Sequence, residues 1–438
     1  MKKNKILFIL PFIPYPLNTG GNQAMYNGIK AIYNYADVYL TFEINNSLQE
    51  QANINILQQK LGETVKIIPY LRENTKEKIS LLKKIHIFLW KIKMFLMNLF
   101  HNKQRYNAPQ YHVWQGEYIP KDDKRVNFIN DIIKKYNIDI VQCEMLQTAS
   151  YALTLPIHVK KIFVHHEIGF IREELNVMAQ TQEPEKYASD LEVHRKNEVS
   201  ILNHFDTIIT LSSIDKEKLQ VAGVKVPIVA SFAIVDYKKD INIESRNSHI
   251  LTFVGPSCHN PNVVGIKWFL KNCWNQLKEV DSKYSLQIIG IWDENIAKEL
   301  KSQYLNIEFK GFVEDLASAI QNTIMIVPIT VGSGIRMKIL EACLNGVPVV
   351  STRIGAEGLP LVNGTDAFIV NTPEEFIEAV CNMKNEKTRI MFIKNARKNI
   401  INNYSLEALE RNRTEILKNI LNEFTIDHKH LNINNSNI

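Results

Sequence analysis

The chain has few cysteines, and their spacing excludes the common metal and redox motifs. Five cysteines are scattered over 438 residues, without a C-x-x-C pair or zinc-ligand spacing (Cys143, Cys258, Cys273, Cys343 and Cys381). A disulfide scaffold is typical of small, cysteine-dense secreted domains, and this chain is neither small nor cysteine-dense. We therefore expect reduced, buried thiols and a cytoplasmic protein.

Long apolar runs are also missing. Ile6–Phe12 is short, rich in β-formers and not followed by a small-residue cleavage site, so we interpret it as a first buried strand and not a signal peptide. Lysines interrupt the segment Lys78–Arg105, so no run reaches the roughly 20 apolar residues that a spanning helix needs. A helix over 78–105 would suit either contact with a membrane interface or packing on the protein with its lysines reaching solvent.

The excess of basic residues is modest. The chain has 52 Lys and Arg against 46 Asp and Glu, a formal net charge of +6. This balance favours anionic partners such as phosphate groups or an acidic membrane face, whereas a nucleic-acid binder usually concentrates its charge more. We expect no nucleic-acid partner.

Short apolar runs alternate with helical patterns along the whole chain, which predicts parallel sheets with helices on both faces. A chain of 438 residues is too long for one core, so we predict an α/β protein of two Rossmann-like, doubly wound domains facing each other across a cleft. We assign the N-terminal domain to 1–230, the C-terminal domain to 249–400, a helix that packs back on the N-terminal domain to 401–424, and a disordered tail to 425–438. The hinge is expected within 226–248. The predicted strands are Lys5–Pro11, Asp37–Phe42, Val65–Pro69, Ile138–Cys143, Ile162–His165, Asp206–Leu211, Ile250–Gly255, Leu286–Gly290, Ile307–Phe309, Ile324–Pro328, Val347–Ser351 and Ala367–Val370.

A glycine pair follows the first predicted strand. Gly20 and Gly21 stand between a proline-rich loop and an amphipathic helical pattern. Paired glycines at such a turn let backbone N–H groups approach an anion at a helix N-terminus. A purely steric purpose would produce the same pattern.

The most informative stretch is a second glycine-rich turn. Gly332, Ser333 and Gly334 follow a buried strand and lead into a helical pattern that carries Arg336, Lys338 and Glu341. A diphosphate at this helix start would meet backbone donors and two cationic side chains. The alternative is a solvated helix start, but cations at that end oppose the helix dipole.

Several longer runs resemble one family. G-S-G-I-R-M-K-I-L-E-A with N-G-V-P-V-V-S-T and G-A-E-G-L, F-V-G-P at 253–256 and K-G-F-V-E-D-L at 310–316 lie in the second half, and F-V-H-H-E-I-G-F-I-R at 163–172 lies in the first. Together they resemble the GT-B glycosyltransferases called GT4, group 1 enzymes that use nucleotide sugars with retention. The resemblance implies a GT-B fold, an acceptor-binding N-terminal domain and a C-terminal domain that binds the nucleotide sugar.

The resemblance also implies roles for single residues. Glu341 would hold the donor ribose, although an acidic residue on a helix surface would give the same pattern. Ser333 stands where the family has a glutamate that contacts the donor sugar, so that contact differs here. His166 matches a histidine that reaches the donor sugar or acceptor, with His165 as its rival.

The resemblance implies further positions. Gly20 and Gly21 would lie near the donor phosphates, and Phe312 and Val313 near the base. Pro256 and Asn262 replace an Arg and a Lys common in the family, and we expect Arg336 and Lys338 to supply the missing charge.

The predicted activity is transfer of a sugar from a nucleotide diphosphate sugar to a glycan or lipid-linked acceptor hydroxyl, at the cytosolic face of the membrane, in polysaccharide or glycolipid synthesis. His166, Arg336 and Lys338 are the expected catalytic residues. The sequence has no D-x-D motif, so we expect no metal and no other cofactor. One alternative is an inactive donor-binding partner of another transferase. An NAD-dependent oxidoreductase is the other, but the turn at 332–337 lacks the third glycine of a dinucleotide fingerprint.

Overall fold

A computed structural model describes residues 3–72, 118, 122–181, 183–235, 237, 241 and 249–434, with side chains left out at 179, 180 and 422–434. Within these residues the chain forms two parallel sheets, each covered by helices. The predicted segment 78–105 lies outside the described residues. In the part of the chain that the structure describes, none of the helices combines the length and apolarity needed to cross a bilayer.

The first sheet belongs to the N-terminal half. Its order is β4-β2-β1-β6-β7-β8-β9, and every neighbouring pair is parallel. Residues of β1 alternate between two apolar cores: Ile6 and Phe8 face one core, and Leu7 and Ile9 face the other. This alternation buries both faces of the sheet, as parallel topology requires. The strands of this half, including the small pair β3-β5, are β1 Asn4–Ile9, β2 Ala36–Thr41, β3 Glu43–Ile44, β4 Val65–Ile67, β5 Tyr70–Leu71, β6 Ile140–Glu144, β7 Lys160–His165, β8 Thr207–Thr210 and β9 Ile228–Ala230. The helices are α1 Gly20–Lys30, α2 Leu48–Leu61, α3 Asp123–Tyr136, α4 Gly169–Gln180, α5 Ala188–Leu202 and α6 Ser213–Ala222, with 3-10 turns at Leu146–Leu153 and Pro184–Tyr187.

The second sheet belongs to the C-terminal half and has the order β12-β11-β10-β13-β14-β15, again all parallel. Its core is built around large buried side chains such as Trp274, Tyr284 and Phe376. The strands are β10 Ile250–Val254, β11 Ser285–Ile289, β12 Ile307–Gly311, β13 Ile324–Val327, β14 Val349–Thr352 and β15 Phe368–Val370. The helices are α7 Asn260–Phe269, α8 Asn275–Val280, α9 Glu294–Gln303, α10 Leu316–Ile320, α11 Met337–Leu344, α12 Pro373–Asn382, α13 Glu386–Asn403 and α14 Leu406–Asn434, with a π-helical turn Leu270–Trp274 between α7 and α8.

The last helix, α14, returns to the first sheet. Leu409, Ile416 and Ile420 pack in the same apolar core as Ile6 and Phe8 of β1. Burial of this apolar stripe favours attachment of the end of the chain to the N-terminal half.

The predicted α/β class with two parallel sheets is confirmed, and all twelve predicted strand regions carry a strand. Three differences from the predicted elements have a physical reason. The first helix begins at Gly20 and includes the glycine pair that we had placed in the turn before it, because Thr19 caps it. Residues 228–230 form a short edge strand inside the predicted hinge, too short to show a period. The helix predicted to end at 424 runs to Asn434, where we predicted a disordered tail, since neither Gly nor Pro interrupts it.

Candidate active site

The two sheets present the carboxyl ends of their strands to one cleft of about 1430 Å³. Loops after β1, β6 and β7 form one wall, and loops after β10, β12 and β13 form the other. Ligands of open parallel sheets bind at this edge. Of the predicted site residues, all except Gly332 line the cleft, namely Gly20, Gly21, His166, Phe312, Val313, Ser333, Gly334, Arg336, Lys338 and Glu341.

The first glycine pair serves close packing between the two walls. Helix α1 begins at Gly20, and Thr19 caps it by accepting a hydrogen bond from the Asn22 amide at 3.1 Å. A Cβ at Gly20 would lie 2.7 Å from Cγ of Met337, at the start of α11. The steric purpose that the sequence left open is therefore present at Gly20. The same glycine-bearing helix start faces the cleft with its positive dipole end.

The second glycine turn also touches the opposite wall. Gly334 has φ +80°, and a Cβ there would lie 2.7 Å from the carbonyl oxygen of His166. The Ser333 hydroxyl accepts a hydrogen bond from the Ile168 amide at 3.0 Å and donates to the Ile168 carbonyl oxygen at 3.2 Å. Ser333, which stands where the family resemblance implies a sugar-contacting glutamate, thus directs its polar atom to the backbone of the other wall.

Arg336 holds this turn in place through hydrogen bonds to two of its backbone carbonyl groups. Its Nη1 donates to the Gly334 carbonyl oxygen at 2.7 Å and also to that of Ser333. The Nη2 atom is buried without a hydrogen-bond partner among the described residues. Burial lowers the pKa of Arg336. A buried cationic donor without a partner is unfavourable unless an anion completes it, which favours a ligand phosphate here.

Lys338 is the second residue of α11 and lines the cleft. Its Nζ donates to Oδ1 of Asn262 at 2.9 Å and lies 4.2 Å from the centroid of the Phe253 ring. Burial, and then the neighbouring charge of Arg336, lower the pKa of Lys338 to about 7. Asn262 stands where the family resemblance led us to expect a basic residue, and here it positions the lysine instead.

Glu341 receives a hydrogen bond from across the cleft. Nε2 of Gln23, on α1, donates to its Oε1 at 2.6 Å. Burial raises the pKa of the Glu341 carboxyl, while the bond from Gln23 and the charge of Lys338 oppose that shift. The carboxylate that was predicted to hold ribose is thus half-buried in the cleft wall, with one oxygen engaged by the other domain.

The two adjacent histidines have different surroundings. His165 is buried, and its Nε2 lies 3.0 Å from Oε1 of Glu198, so it is a core residue. His166 lines the cleft, with Nε2 only 2.6 Å from Oε2 of Glu144. Glu144 is 2% exposed, and its Oε1 accepts from Nε2 of Gln142 at 2.6 Å. The sequence analysis favoured His166 over His165 as the site histidine, and His166 is the one that lines the cleft.

The remaining predicted pair lies at the rim. Phe312 is 53% exposed, and Val313 is partly buried against the C-terminal core. Both follow β12 and line the cleft. An exposed aromatic ring beside a cleft is suited to stacking on a planar ligand group such as a base.

Sequence reasoning missed Gln23 and Glu144 as site residues. Gln23 lies three residues after Gly20 on α1, and Glu144 ends β6, whose carboxyl end opens on the cleft. Their positions, on the helix that follows β1 and at the carboxyl end of β6, were a usable signal, but their partners Glu341 and His166 are distant in sequence. Across the described ranges, no group of three or more His, Cys, Asp or Glu side chains is arranged to hold a metal ion.

Comparison with known proteins agrees with this geometry. Residues 248–386, which contain the glycine turn and Glu341, match the family model described as "Glycosyl transferases group 1". The chain has the GT-B fold, and residues 248–386 in its C-terminal half are similar to the glycosyl transferases group 1 family.

Similar proteins include one from Klebsiella pneumoniae, named "Uncharacterized 44.6 kDa protein in cps region". It is 25% identical over 258 residues, which are 57% of this chain and 66% of that protein, slightly less than two thirds of its length. Among solved structures, a point mutant of Staphylococcus aureus TarM in complex with fondaparinux, alpha-GlcNAc-glycerol and UDP has a TM-score of 0.63 at 13% identity, covering 94% of this chain and 99% of that chain. Anabaena HepE in complex with UDP and glucose has a TM-score of 0.62 at 13% identity, covering 94% and 99% of the two chains.

Proposed function

We propose that this protein is a glycosyltransferase that moves a sugar from a nucleotide diphosphate sugar to a hydroxyl of a glycan or lipid-linked acceptor, with retention of configuration. The observation that carries the proposal is the position of Arg336 and Lys338 beside Glu341 on one wall of the cleft, opposite His166. Such a wall offers cations for a diphosphate and a carboxylate for a vicinal diol.

The donor would lie along α11. Glu341 accepts hydrogen bonds from the ribose hydroxyls, and Phe312 stacks on the base. Lys338 and Nη2 of Arg336 contact the diphosphate, together with backbone N–H groups at the start of α11. This assignment gives the buried Nη2 atom of Arg336 the acceptor that it lacks among the described residues.

Bond breaking would be assisted by the same groups. As the bond from the anomeric carbon to the diphosphate oxygen breaks, negative charge grows on the leaving nucleotide diphosphate. Fixed cations and helix dipoles stabilise that charge without reorganisation. Both cations are already held in place, Arg336 by the turn and Lys338 by Asn262.

The acceptor oxygen then bonds to the anomeric carbon on the face that the diphosphate leaves. The acceptor proton passes to an oxygen of the departing diphosphate, which balances the step without a protein base. His166, held by Glu144, orients the sugar or the acceptor from the opposite wall. The two walls exclude water, which limits hydrolysis.

The biological setting rests on the comparisons and on the sequence. The relative from the cps region supports a role in polysaccharide synthesis. HepE and TarM were solved with UDP, which makes UDP-sugars the first donors to test. Contact of 78–105 with the cytosolic membrane face remains a prediction, as does independence of metal ions.

A thermal-shift screen tests donor binding. The probes are UDP, GDP and ADP, each alone and as a glucose or mannose conjugate. A ligand at 100 times its Kd stabilises the fold by about 2.7 kcal/mol, and each kcal/mol raises Tm by roughly 2–4 °C for domains of this size. We expect one nucleotide series to raise Tm in the wild type but not in Arg336→Met or Lys338→Met. Lys394→Met, an exposed lysine on α13, is the matched control.

Absence of any shift at millimolar nucleotide would overturn the proposal. The alternative is an inactive donor-binding partner of another transferase. Only the replacement of the family's glutamate by Ser333 favours it, and the Ser333 hydroxyl is engaged with the Ile168 amide. Sugar transfer or donor hydrolysis by the purified chain alone excludes that alternative. Nuclear magnetic resonance of the product decides the anomeric outcome, and inversion would refute the proposed same-face step.

A further inference from the structure

Glu167 is a cleft residue to which no role has been assigned so far. It follows His166 in the loop between β7 and α4, and its side chain is 20% exposed. Its Oε2 accepts a hydrogen bond from Nη1 of Arg172 at 2.9 Å. Its other oxygen, Oε1, appears in none of the hydrogen bonds between described residues. The side chain therefore combines a fixed position with an oxygen that is available to a ligand.

The loop that carries Glu167 lies directly against the second glycine turn. A Cβ on Gly334 would lie 3.6 Å from Cβ of Glu167. At this junction the Ser333 hydroxyl is committed to the backbone of Ile168 in both directions. The turn itself therefore presents no carboxylate and no unengaged hydroxyl, and the carboxylate at this place in the cleft comes from the N-terminal wall.

The charges around Glu167 indicate which part of a donor it suits. Burial lowers the pKa of Arg336, and the negative charge of Glu167 is the largest opposing influence. A diphosphate bound at Arg336 and Lys338 would repel the Glu167 carboxylate, so direct contact between these two groups is unfavourable. The sugar hydroxyls next to the diphosphate are neutral donors, and a carboxylate oxygen accepts from them strongly.

We propose that Glu167 is a specificity-determining residue that accepts hydrogen bonds from hydroxyl groups of the donor sugar. The second glycine turn offers the sugar no side-chain partner, because the Ser333 hydroxyl is engaged with the backbone of Ile168. This inference rests on the proposed function, because it places the diphosphate at Arg336 and Lys338. It assigns recognition of the nucleotide to the C-terminal wall and recognition of the sugar to the N-terminal wall.

Calorimetric titration with paired probes tests the division. UDP with UDP-glucose, and GDP with GDP-mannose, are titrated into wild type, Glu167→Gln and Glu167→Ala. We expect Glu167→Gln to weaken binding of the nucleotide sugar about tenfold, the loss of one good hydrogen bond to a charged group, and to leave binding of the bare nucleotide within about twofold. Glu167→Ala should show a larger loss of the same kind. Glu174→Gln, an exposed glutamate on the helix α4 that follows the loop, is the matched control.

The outcomes separate this inference from the proposed function. If wild type binds neither nucleotide nor nucleotide sugar, the proposed function fails and this inference fails with it. If wild type binds both and Glu167→Gln changes the two affinities equally or leaves both unchanged, Glu167 is not a sugar contact and only this inference is overturned. Glu167→Gln preserves the side-chain shape, so it carries the test if Glu167→Ala does not fold.

Discussion

Gln23 and Glu341 are joined by a hydrogen bond of 2.6 Å although 318 positions separate them in the chain. The bond links α1 of one wall to α11 of the other. It also holds one oxygen of the carboxylate, and the other oxygen appears in none of the hydrogen bonds between described residues. A bound ribose would therefore meet a carboxylate that is already oriented, which reduces the entropy lost on binding.

Replacement of Glu341 by Gln should selectively weaken nucleotide binding. Hydrogen bonds to a charged acceptor contribute about 1.5–3 kcal/mol, so we expect a loss of affinity for the nucleoside diphosphate of about 10- to 100-fold. Inorganic diphosphate lacks the ribose and should bind wild type and variant alike. Calorimetric titration measures both, with Glu378→Gln on the exposed side of α12 as control. An equal loss for inorganic diphosphate would assign Glu341 to the phosphates instead.

Nucleotide binding should depend on pH through Lys338. Burial and Arg336 lower the pKa of this lysine to about 7, so its ammonium is present below pH 7 and is lost as the pH rises above 7. A diphosphate prefers the charged form, and its binding draws a proton onto the lysine. We expect affinity to fall steadily from pH 6.5 to pH 8.5 in wild type. Lys338→Arg, which keeps its charge over this range, should show a much flatter profile if it folds.

A pH-independent affinity would contradict the role given to Lys338. A wild-type profile that is flat across pH 6.5–8.5, with Lys338→Arg superimposed on it, would show that the ammonium does not titrate in the donor-free protein. Calorimetry in two buffers of different ionisation enthalpy provides a second readout. It should detect proton uptake on binding near pH 7.5 in wild type and none in the variant.

Glu144 should act on catalysis through His166. The carboxylate holds Nε2 of His166 at 2.6 Å, and this contact fixes the orientation of the ring. We expect Glu144→Gln to lower kcat by about 10- to 100-fold, the range known for carboxylates that orient metal-bound histidines, with nucleotide Kd unchanged. A cycle with His166→Ala checks the mechanism. The double variant should be no slower than His166→Ala alone, and additive losses would refute action through the histidine.

Gly334 should tolerate alanine worse than a glycine of similar backbone conformation elsewhere. Gly334 has φ +80° and Gly364 has φ +75°, but only at Gly334 would a Cβ meet a neighbouring atom, the His166 carbonyl oxygen at 2.7 Å. Gly364→Ala should cost about 1–2 kcal/mol from left-handed strain. Gly334→Ala adds a contact that must move one wall of the cleft.

Thermal unfolding compares the two glycine variants, and we expect the larger loss of Tm for Gly334→Ala. The same variant should also bind nucleotide more weakly, whereas Gly364→Ala should bind as wild type does. Equal losses of Tm in the two variants would mean that the walls separate freely and that the contact at His166 is not a constraint.

The fold could be read from the sequence to a large extent. Alternating apolar strands and helical patterns predicted two parallel sheets because the period of a buried strand differs from that of an amphipathic helix. The run from Gly332 to Glu341 predicted one side of the cleft because its glycines, cations and carboxylate are local to one strand, turn and helix. Boundaries that depend on a cap, such as Thr19, or on a three-residue edge strand, such as β9, did not show in the pattern.

Local sequence thus determined the secondary structure, the glycine turns and which side chains could carry charge. Only the tertiary structure decided their partners: Ser333 with Ile168, His166 with Glu144, and Glu341 with Gln23. These pairs lie at the carboxyl ends of strands from distant parts of the chain. Their geometry comes from the sheet order and from the packing of one wall against the other. Neither can be inferred from the hydrophobic period of a local sequence segment.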